Sequence, residues 1–363
     1  MRLARWSLFH YRLPYQQEIV WANAIESEGC YSLLRLESDD GAVGLAEGTV
    51  KATWSGVSFR SLTAVLDDLL MPALAAVDVG DAAAVSTALA PFPENRLAKG
   101  MVETACAMLR ASSAGQPLWK YLGGTAGVDV TWTVTRQSPG AMAREAADRV
   151  QSLGLRALKV KGGQGMDTDR DAIRRIRAAV GDAIVLNVDA NSAYRPSEAA
   201  AYVRMLEDES VAIAEDPCPL EADSHFQALQ HSVGIPILVD RACTTATDAR
   251  LFLERGARAL STKPGRIGMA EAGVIGALAQ ARGARVAVGI YAESALGTLI
   301  NLQQAAAVPD GLRLMPAEQT FFLTLTRQVT ALPLTVTRGR IVLPDVASPD
   351  DYVDWDRIQA YAA

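Results

Sequence analysis

The stretch RALKVKGG, Arg156–Gly163, governs the reading of this chain. A short run of apolar and β-branched residues ends in Lys159 and Lys161, two apart, and two glycines follow. A buried strand runs out into a loop in this way. Residues two apart on a strand share a face, so both ammonium groups would look into one space. Seven further runs of the kind follow or precede it: Val128–Thr135, Ala183–Asp189, Val211–Glu215, Pro236–Asp240, Arg258–Lys263, Arg285–Tyr291 and Leu312–Glu318. Helical stretches separate most of them, among them Asp167–Ala179, Pro196–Glu207, Ala246–Glu254 and Ala270–Ala281. Strands alternating with helices predict a parallel sheet, and eight of them predict an α/β fold closed into a (β/α) barrel. An open doubly wound sheet is the alternative. It would usually carry a glycine-rich nucleotide loop after its first strand, and none stands there.

The chain before this alternation has another texture. Tyr31–Leu36 and Ala42–Val50 flank the turn sequence SDDG, Ser38–Gly41, and predict a hairpin. Helical patterns follow at Ser61–Leu74, Ala82–Leu89 and Glu94–Ala114, then GQPLWKYLGG, Gly115–Gly124, closes the region with glycine and proline. Residues 1–125 therefore read as an α+β domain, 126–325 as the barrel, and 326–363 as a tail returning to the first domain.

With 363 residues and 50% hydrophobic content, the chain can bury a large core. A formal charge of −6 argues against nucleic acid or a membrane surface as partner. No run is long and apolar enough for a membrane span, and the basic N-terminus lacks the apolar stretch of a signal peptide. Cys30, Cys106, Cys218 and Cys243 are scattered, which fits a reducing cytoplasm.

Barrel chemistry sits where strands end. Asp189 ends the third strand, Glu215 the fourth, Asp240 the fifth and Lys263 the sixth, at spacings of 26, 25 and 23 residues. One strand, one helix and two loops need about that much chain. Singly, each of these residues reads as an ordinary polar strand exit. Together they form a ring of like charges that would repel strongly without a cation. A divalent ion with oxygen ligands resolves this. Mg²⁺, with Mn²⁺ as the alternative, suits three carboxylates, and no Cys or His at these positions calls for zinc. In a ring of eight, strands two and six are opposed, so Lys161 and Lys263 would flank a bound substrate, with Lys159 helping to make Lys161 a usable base. Two opposed bases and a cation suit removal of a proton next to a carboxylate, through an enediolate.

These residues resemble the enolase superfamily, specifically its muconate-lactonising subgroup. That subgroup carries K-x-K on the second strand, acidic metal ligands on the next three and a lysine on the sixth, here Lys159-Val160-Lys161, Asp189, Glu215, Asp240 and Lys263. GQPLWKYLGG, DANSAY, KPGRIGM and YAESALG are similar to stretches of muconate cycloisomerases, o-succinylbenzoate synthases and N-acylamino-acid racemases. The resemblance implies a (β/α)7β-type TIM barrel with an N-terminal α+β capping domain, whose loops near Pro14–Ala24 and Val50–Gly56 would close over substrate. It also implies a homo-oligomer. Candidate substrate contacts are Asn191, Glu293, Tyr15 and Trp54. One departure stands out: the residue after the third acid is usually acidic in this subgroup, and here it is Arg241, while Asp216 stands where many relatives have Gln. Arg241 would either pair with Asp216 or bind a second anionic group on the substrate.

The expected activity is Mg²⁺-dependent proton abstraction or return α to a carboxylate, on a small anionic substrate. A muconate-type cycloisomerase leads. A racemase or epimerase of N-acylamino acids and an o-succinylbenzoate-type dehydratase follow. From other classes, a Schiff-base lyase using Lys161 or Lys263 and a non-catalytic anion-binding barrel are the alternatives.

Overall fold

The structure, a computed structural model, describes residues 1–21 and 24–363. The two omitted positions, 22 and 23, fall inside the Pro14–Ala24 loop expected to face substrate, so that part of the expectation lies outside the described residues.

The chain opens with a three-stranded antiparallel sheet. Strand β1, Leu3–Val20, pairs with β2, Ile25–Ser38, which pairs with β3, Val43–Thr49. The SDDG hairpin is as expected, with Leu36 opposite Gly44. The long strand β1 is new, because its mixed exposure hides the two-residue period on which a strand is recognised. Helix Arg96–Ser113 lies across this sheet so closely that a Cβ on Gly44 would meet the Ala105 carbonyl oxygen at 1.9 Å. Glycine is required there by the close approach of two backbones. Leu34, Leu36, Leu66, Leu70, Met101 and Leu109 form the core beneath.

The first barrel candidate, Val128–Thr135, divides in two. Strand β4, Gly127–Asp129, pairs antiparallel with β12, Arg340–Val342, near the C-terminus. Only β5, Trp132–Val134, enters the parallel sheet. Strands β6 (Ala157–Lys161), β7 (Val185–Asp189), β8 (Ile213–Glu215), β9 (Ile237–Val239), β10 (Ala259–Thr262) and β11 (Arg285–Val288) follow in spatial order, each parallel to the last. Helices stand between successive strands at the expected positions, Ala246–Glu254 to the residue. The expected eighth strand, Leu312–Glu318, is not regular. It makes single parallel bridges, Arg313 to Val286 of β11 and Ala317 to Val130. The fold is thus an α/β arrangement with a seven-stranded parallel sheet and an N-terminal antiparallel sheet.

The C-terminal tail contacts the first sheet. The Arg12 N–H donates to the Tyr361 carbonyl at 3.2 Å. Arg35 forms a two-pronged pair with Asp350 at 2.9 and 2.7 Å. The four cysteines are all free thiols. Among the described residues no helix is long and apolar enough to cross a membrane.

Candidate active site

Register assembles the site. In the ladder, Lys159 lies opposite Asn187 and Lys161 opposite Asp189, and Asp189 lies opposite Glu215. Side chains alternate along each strand, so Lys159, Lys161, Asn187, Asp189 and Glu215 share one face. Asp240 follows β9 by one residue and Lys263 follows β10 by one. Asp189, Glu215, Asp240 and Lys159 are all but fully buried. Charges are tolerated at such depth only when they are paired.

The pairing is dense. The Lys159 ammonium donates to Glu215 at 2.6 Å and to Glu318 at 3.0 Å, and lies 3.1 Å from Asp189 Oδ2. Lys161 donates to the same Asp189 oxygen at 2.6 Å and to Asn191 Oδ1 at 3.3 Å. Lys263 donates to Asp240 Oδ2 at 2.5 Å. Lys161 therefore meets the first acid of the row and Lys263 the last, which sets the two amines at opposite ends of it. The Asn187 amide donates to Glu215 at 2.8 Å. Asn191, in a left-handed conformation at φ 49°, donates its N–H to Asp189 at 2.8 Å.

Burial works against ionisation of every acid here, and the outcome differs by neighbour. Burial would raise Asp189, but Lys159 and Lys161 outweigh it and hold the carboxyl well below its usual range. Lys263 and Arg266 do the same for Asp240. Glu215 goes the other way: burial, reinforced by the charge of Asp189, pushes it well up despite Lys159. Asp216 is pushed up to about 7 by burial together with Asp240 and Asp189. For Lys159, burial disfavours the ammonium, yet Asp189, Glu215 and Glu318 overcome it and drive its pKa well above the ordinary value. Lys159 is thus a fixed positive charge, bonded chiefly to carboxylates.

Each acid of the row is turned toward a lysine, and among the described residues no three Asp, Glu, His or Cys side chains are gathered closely enough to form a metal site. The donor set nevertheless fits a hard cation. It is all oxygen, it is deeply buried, and Asp240 Oδ1 lacks any hydrogen-bond partner.

One pocket opens onto this row and is lined by Lys161, Asn191, Asp240, Lys263, Trp54, Lys51, Arg136, Tyr291 and Phe321, among others. Of the expected substrate contacts, Trp54 and Asn191 line it. Tyr15 stands a layer back, packed edge-on against Phe321 at 5.6 Å. Glu293 is buried beside the pocket, accepting from the Tyr291 N–H at 2.9 Å and the Asn301 amide at 3.0 Å, and burial pushes it up to about 7. Arg241 does not pair with Asp216 through its side chain. Only its backbone N–H donates to Asp216, at 2.8 Å, while the exposed guanidinium lies 5.6 Å from the Trp54 ring centre.

Residues 141–348 match the model described as Enolase C-terminal domain-like. The chain belongs to this family, the enolase superfamily. The likeness extends beyond residues 141–348. The chain is 30% identical over 282 residues to an L-Ala-D/L-Glu epimerase of Bacillus subtilis (strain 168), covering 76% of this chain and 77% of that one. It is 29% identical over 342 residues to muconate cycloisomerase 1-2 of Acinetobacter lwoffii, covering 90% and 86%. A solved muconate lactonizing enzyme from Mycobacterium smegmatis, complexed with muconolactone, superposes with a TM-score of 0.93 over 100% of both chains at 24% identity. Two dipeptide epimerases of this superfamily fold were solved with Mg bound. The chain is an enzyme of the enolase superfamily, and the relatives named here are isomerases.

The site holds residues the sequence did not single out. Glu318 ends the eighth apolar run and Asn187 precedes Asp189 by two, so the strand-end rule and the two-residue period both reach them. Arg136, whose guanidinium donates to the carbonyls of Gly162 at 2.7 Å and Ala190 at 3.2 Å, ties the ends of three strands together. Lys51 precedes the single helical turn Ala52–Ser55, inside the Val50–Gly56 loop that the resemblance placed over substrate, but its own side chain was not among the expected contacts.

Proposed function

We propose that this enzyme removes or returns a proton α to a carboxylate, with Mg²⁺ as its metal, and that a muconate-type cycloisomerisation is its reaction. The observation that carries the reading is the row Asp189, Glu215, Asp240 with Lys161 bonded at one end and Lys263 at the other. The three carboxylates would hold the cation, which supplies positive charge that favours ionisation of the substrate and stabilises an enediolate. The protein does the rest. Lys159 stays charged beneath the row and balances Glu215 and Glu318. Lys161 or Lys263 takes the α-proton, and the other supplies charge or, in a racemase, delivers the proton from the opposite face. Asn191, bonded to both Lys161 and Asp189, keeps that pair in register.

The pocket's charge favours an anion with two acidic groups over a zwitterion. Lys51, Arg136, Lys161 and Lys263 line it against Asp240 as the one carboxylate. A free ammonium, as on a dipeptide, would meet four cationic side chains and, among the described lining residues, one acid, which the metal would engage. An N-acylamino acid with an acidic acyl group meets the same charge requirement, so racemisation of such a substrate is the second reading. A Schiff-base reaction leaves the three buried acids without a purpose.

We also take residues 126–325 as a closed (β/α)7β barrel, supported by the bridges at Arg313 and Ala317. Residues 1–125 with 326–363 would form its cap, and the free cysteines support a cytoplasmic location. The deciding experiment is a panel of mono- and dicarboxylates in D₂O with Mg²⁺, followed by NMR for exchange at the α-carbon or for lactone formation. Activity that survives EDTA, or a product formed by borohydride-trappable imine chemistry, would refute the proposal.

A further inference from the structure

Two glycines follow Lys161, and the chemistry of the pocket does not call for them. Their surroundings do. Gly163 is left-handed at φ 81°, and a Cβ there would meet the Ala190 carbonyl oxygen at 2.6 Å. A Cβ on Gly162 would meet the Tyr202 hydroxyl at 2.6 Å and Asp169 Oδ2 at 2.9 Å. Only glycine lets the backbone run this close to its neighbours. The group it runs against is the carboxylate of Asp169, buried at 2% exposure in the helix Met166–Val180. Asp169 Oδ2 accepts from the Gly163 N–H at 2.7 Å, the Tyr194 hydroxyl at 2.7 Å and the Tyr202 hydroxyl at 2.9 Å. Its Oδ1 accepts from the Gln164 N–H at 3.1 Å. A carboxylate has about four acceptor positions, and these four donors match them.

The donors come from both strand exits that carry the site. Gly163 and Gln164 continue β6 from Lys161, and Tyr194 continues β7 from Asp189 and Asn191. The two exits are also bonded directly, the Gly162 N–H donating to the Asp189 carbonyl at 2.9 Å. The Tyr194 and Tyr202 rings lie with their centres 4.0 Å apart, so both hydroxyls reach Asp169 from one side. Between Asp189 and Tyr194 the chain passes through left-handed conformations at Asn191 and Ser192, φ 49° and 62°. Residues with a Cβ hold such a path only where surrounding bonds enforce it.

We propose that Asp169 is a positioning residue for the proton transfer: through the Gly162–Gly163 turn on one side and Tyr194 on the other, it fixes the exits of β6 and β7 so that Lys161 keeps one geometry toward Asp189 and Asn191. The assignment rests on the role proposed above for Lys161 as a base, and adds the group that aims it. Lys161 is the less enclosed of the two amines, its side chain 16% exposed against 7% for Lys263. Both of its bonds, at 2.6 and 3.3 Å, go to residues at the exit of β7, so a slip of one exit past the other changes both at once. The rival is a local role, with Asp169 fastening only the first turn of its own helix. That role accounts for the Gly163 and Gln164 N–H groups. It leaves unexplained the bond from Tyr194, which lies 25 residues on, in the next strand–helix unit.

The test observes the Lys161 ammonium itself. In the full, Mg²⁺-loaded chain labelled with ¹⁵N-lysine, Lys161→Met and Lys263→Met assign the two side-chain NMR signals. Asp169→Asn keeps the size of the side chain but sets an amide N–H against donors. It should move the Lys161 signal and leave the Lys263 signal in place. It should also lower kcat for α-exchange in D₂O about tenfold to a hundredfold, the scale of a small misplacement of a reacting group, with KM within about threefold of wild type. Tyr194→Phe keeps the ring and three of the four bonds, so it should do the same by a smaller factor, and it decides the matter if Asp169→Asn folds poorly. An unmoved Lys161 signal, a Lys263 signal that moves as far, or an unchanged kcat in both variants would overturn the assignment. If wild type shows no Mg²⁺-dependent exchange while the Lys161 signal still answers to Asp169, the reaction is wrong and the positioning stands.

Discussion

The floor and the wall of this pocket are built on different principles. On the floor, Lys159, Lys161 and Lys263 each contact a buried carboxylate within 2.6 Å, and every one of those side chains sits on a strand or one residue past its end. On the wall, Lys51, Trp54 and Arg241 come from loops or a single helical turn, and two of the three have donors left over. A strand ladder repeats at fixed spacing, so it can hold like charges at a set separation and neutralise them in turn. A loop has no such repeat, and it can leave a group free for a ligand. On the function proposed, the floor would carry the proton chemistry and the wall would choose among substrates.

The strongest attempt to break this division removes the floor's bases. Lys161→Ala and Lys263→Ala should each cut α-exchange by roughly 10²–10⁴, the usual worth of a positioned acid–base group, while leaving the fold intact. NMR exchange rates check this, and a substantial rate in both variants would dismantle the floor's assigned role. Asp240→Asn should come next. It should abolish the thermal stabilisation that Mg²⁺ gives wild type, about 2.7 kcal/mol at a hundredfold excess over Kd, as read by scanning calorimetry with and without EDTA. A Mg²⁺ response that persists would remove Asp240 from the ligand set.

Lys159→Met tests the floor as structure. Three buried carboxylates would lose their shared cation, and breaking such a network by one partner costs about 3–5 kcal/mol. Urea unfolding would measure it, and a loss under ~1 kcal/mol would mean that Glu318 and Glu215 find other partners.

Glu293 sharpens the boundary between floor and wall. Its folded-state pKa is raised from 4.5 to about 7 by burial. The folded protein then holds a proton that the unfolded chain has released, so stability is highest below the unfolded value and declines as pH rises toward 7. Glu293→Gln should flatten this decline, becoming more stable relative to wild type between pH 5 and 8 by at most ~3 kcal/mol. Parallel denaturation curves at both pH values would contradict the raised pKa. The smallest effect belongs to the wall's rim: Arg241→Met should cost under about 1 kcal/mol of stability, as befits an exposed guanidinium beside a ring. A larger loss would make Arg241 structural.

The sequence made the floor legible because two periods govern it. Side chains alternate every two residues on a strand, and strands recur after one helix, so Lys159, Lys161, Asp189, Glu215, Asp240 and Lys263 could be assigned to one end of one sheet by counting. The same counting reaches Asn187 by register and Glu318 as the end of the eighth apolar run, neither of which the strand-end reading singled out. It failed where local pattern and pairing part company. Val128–Thr135 looks like one strand, yet its first half pairs with Arg340–Val342. The sequence casts Lys159 as a neighbour that helps make Lys161 a usable base, but only the fold brings Glu215 and Glu318 to Lys159 and makes it a fixed charge. Arg241 beside Asp216 suggests an ion pair, and the backbone turns the guanidinium toward Trp54.

What the sequence alone determined is therefore the alternation, the face on which each acid and lysine falls, and through them the superfamily and its chemistry. What only the tertiary structure decided is which charges neutralise which, and that Lys51 joins the expected Trp54 in a pocket whose floor begins more than a hundred residues later. The reason is physical: facing along a strand is set by neighbours in the chain, whereas ion pairing and the meeting of two regions are set by distances through space.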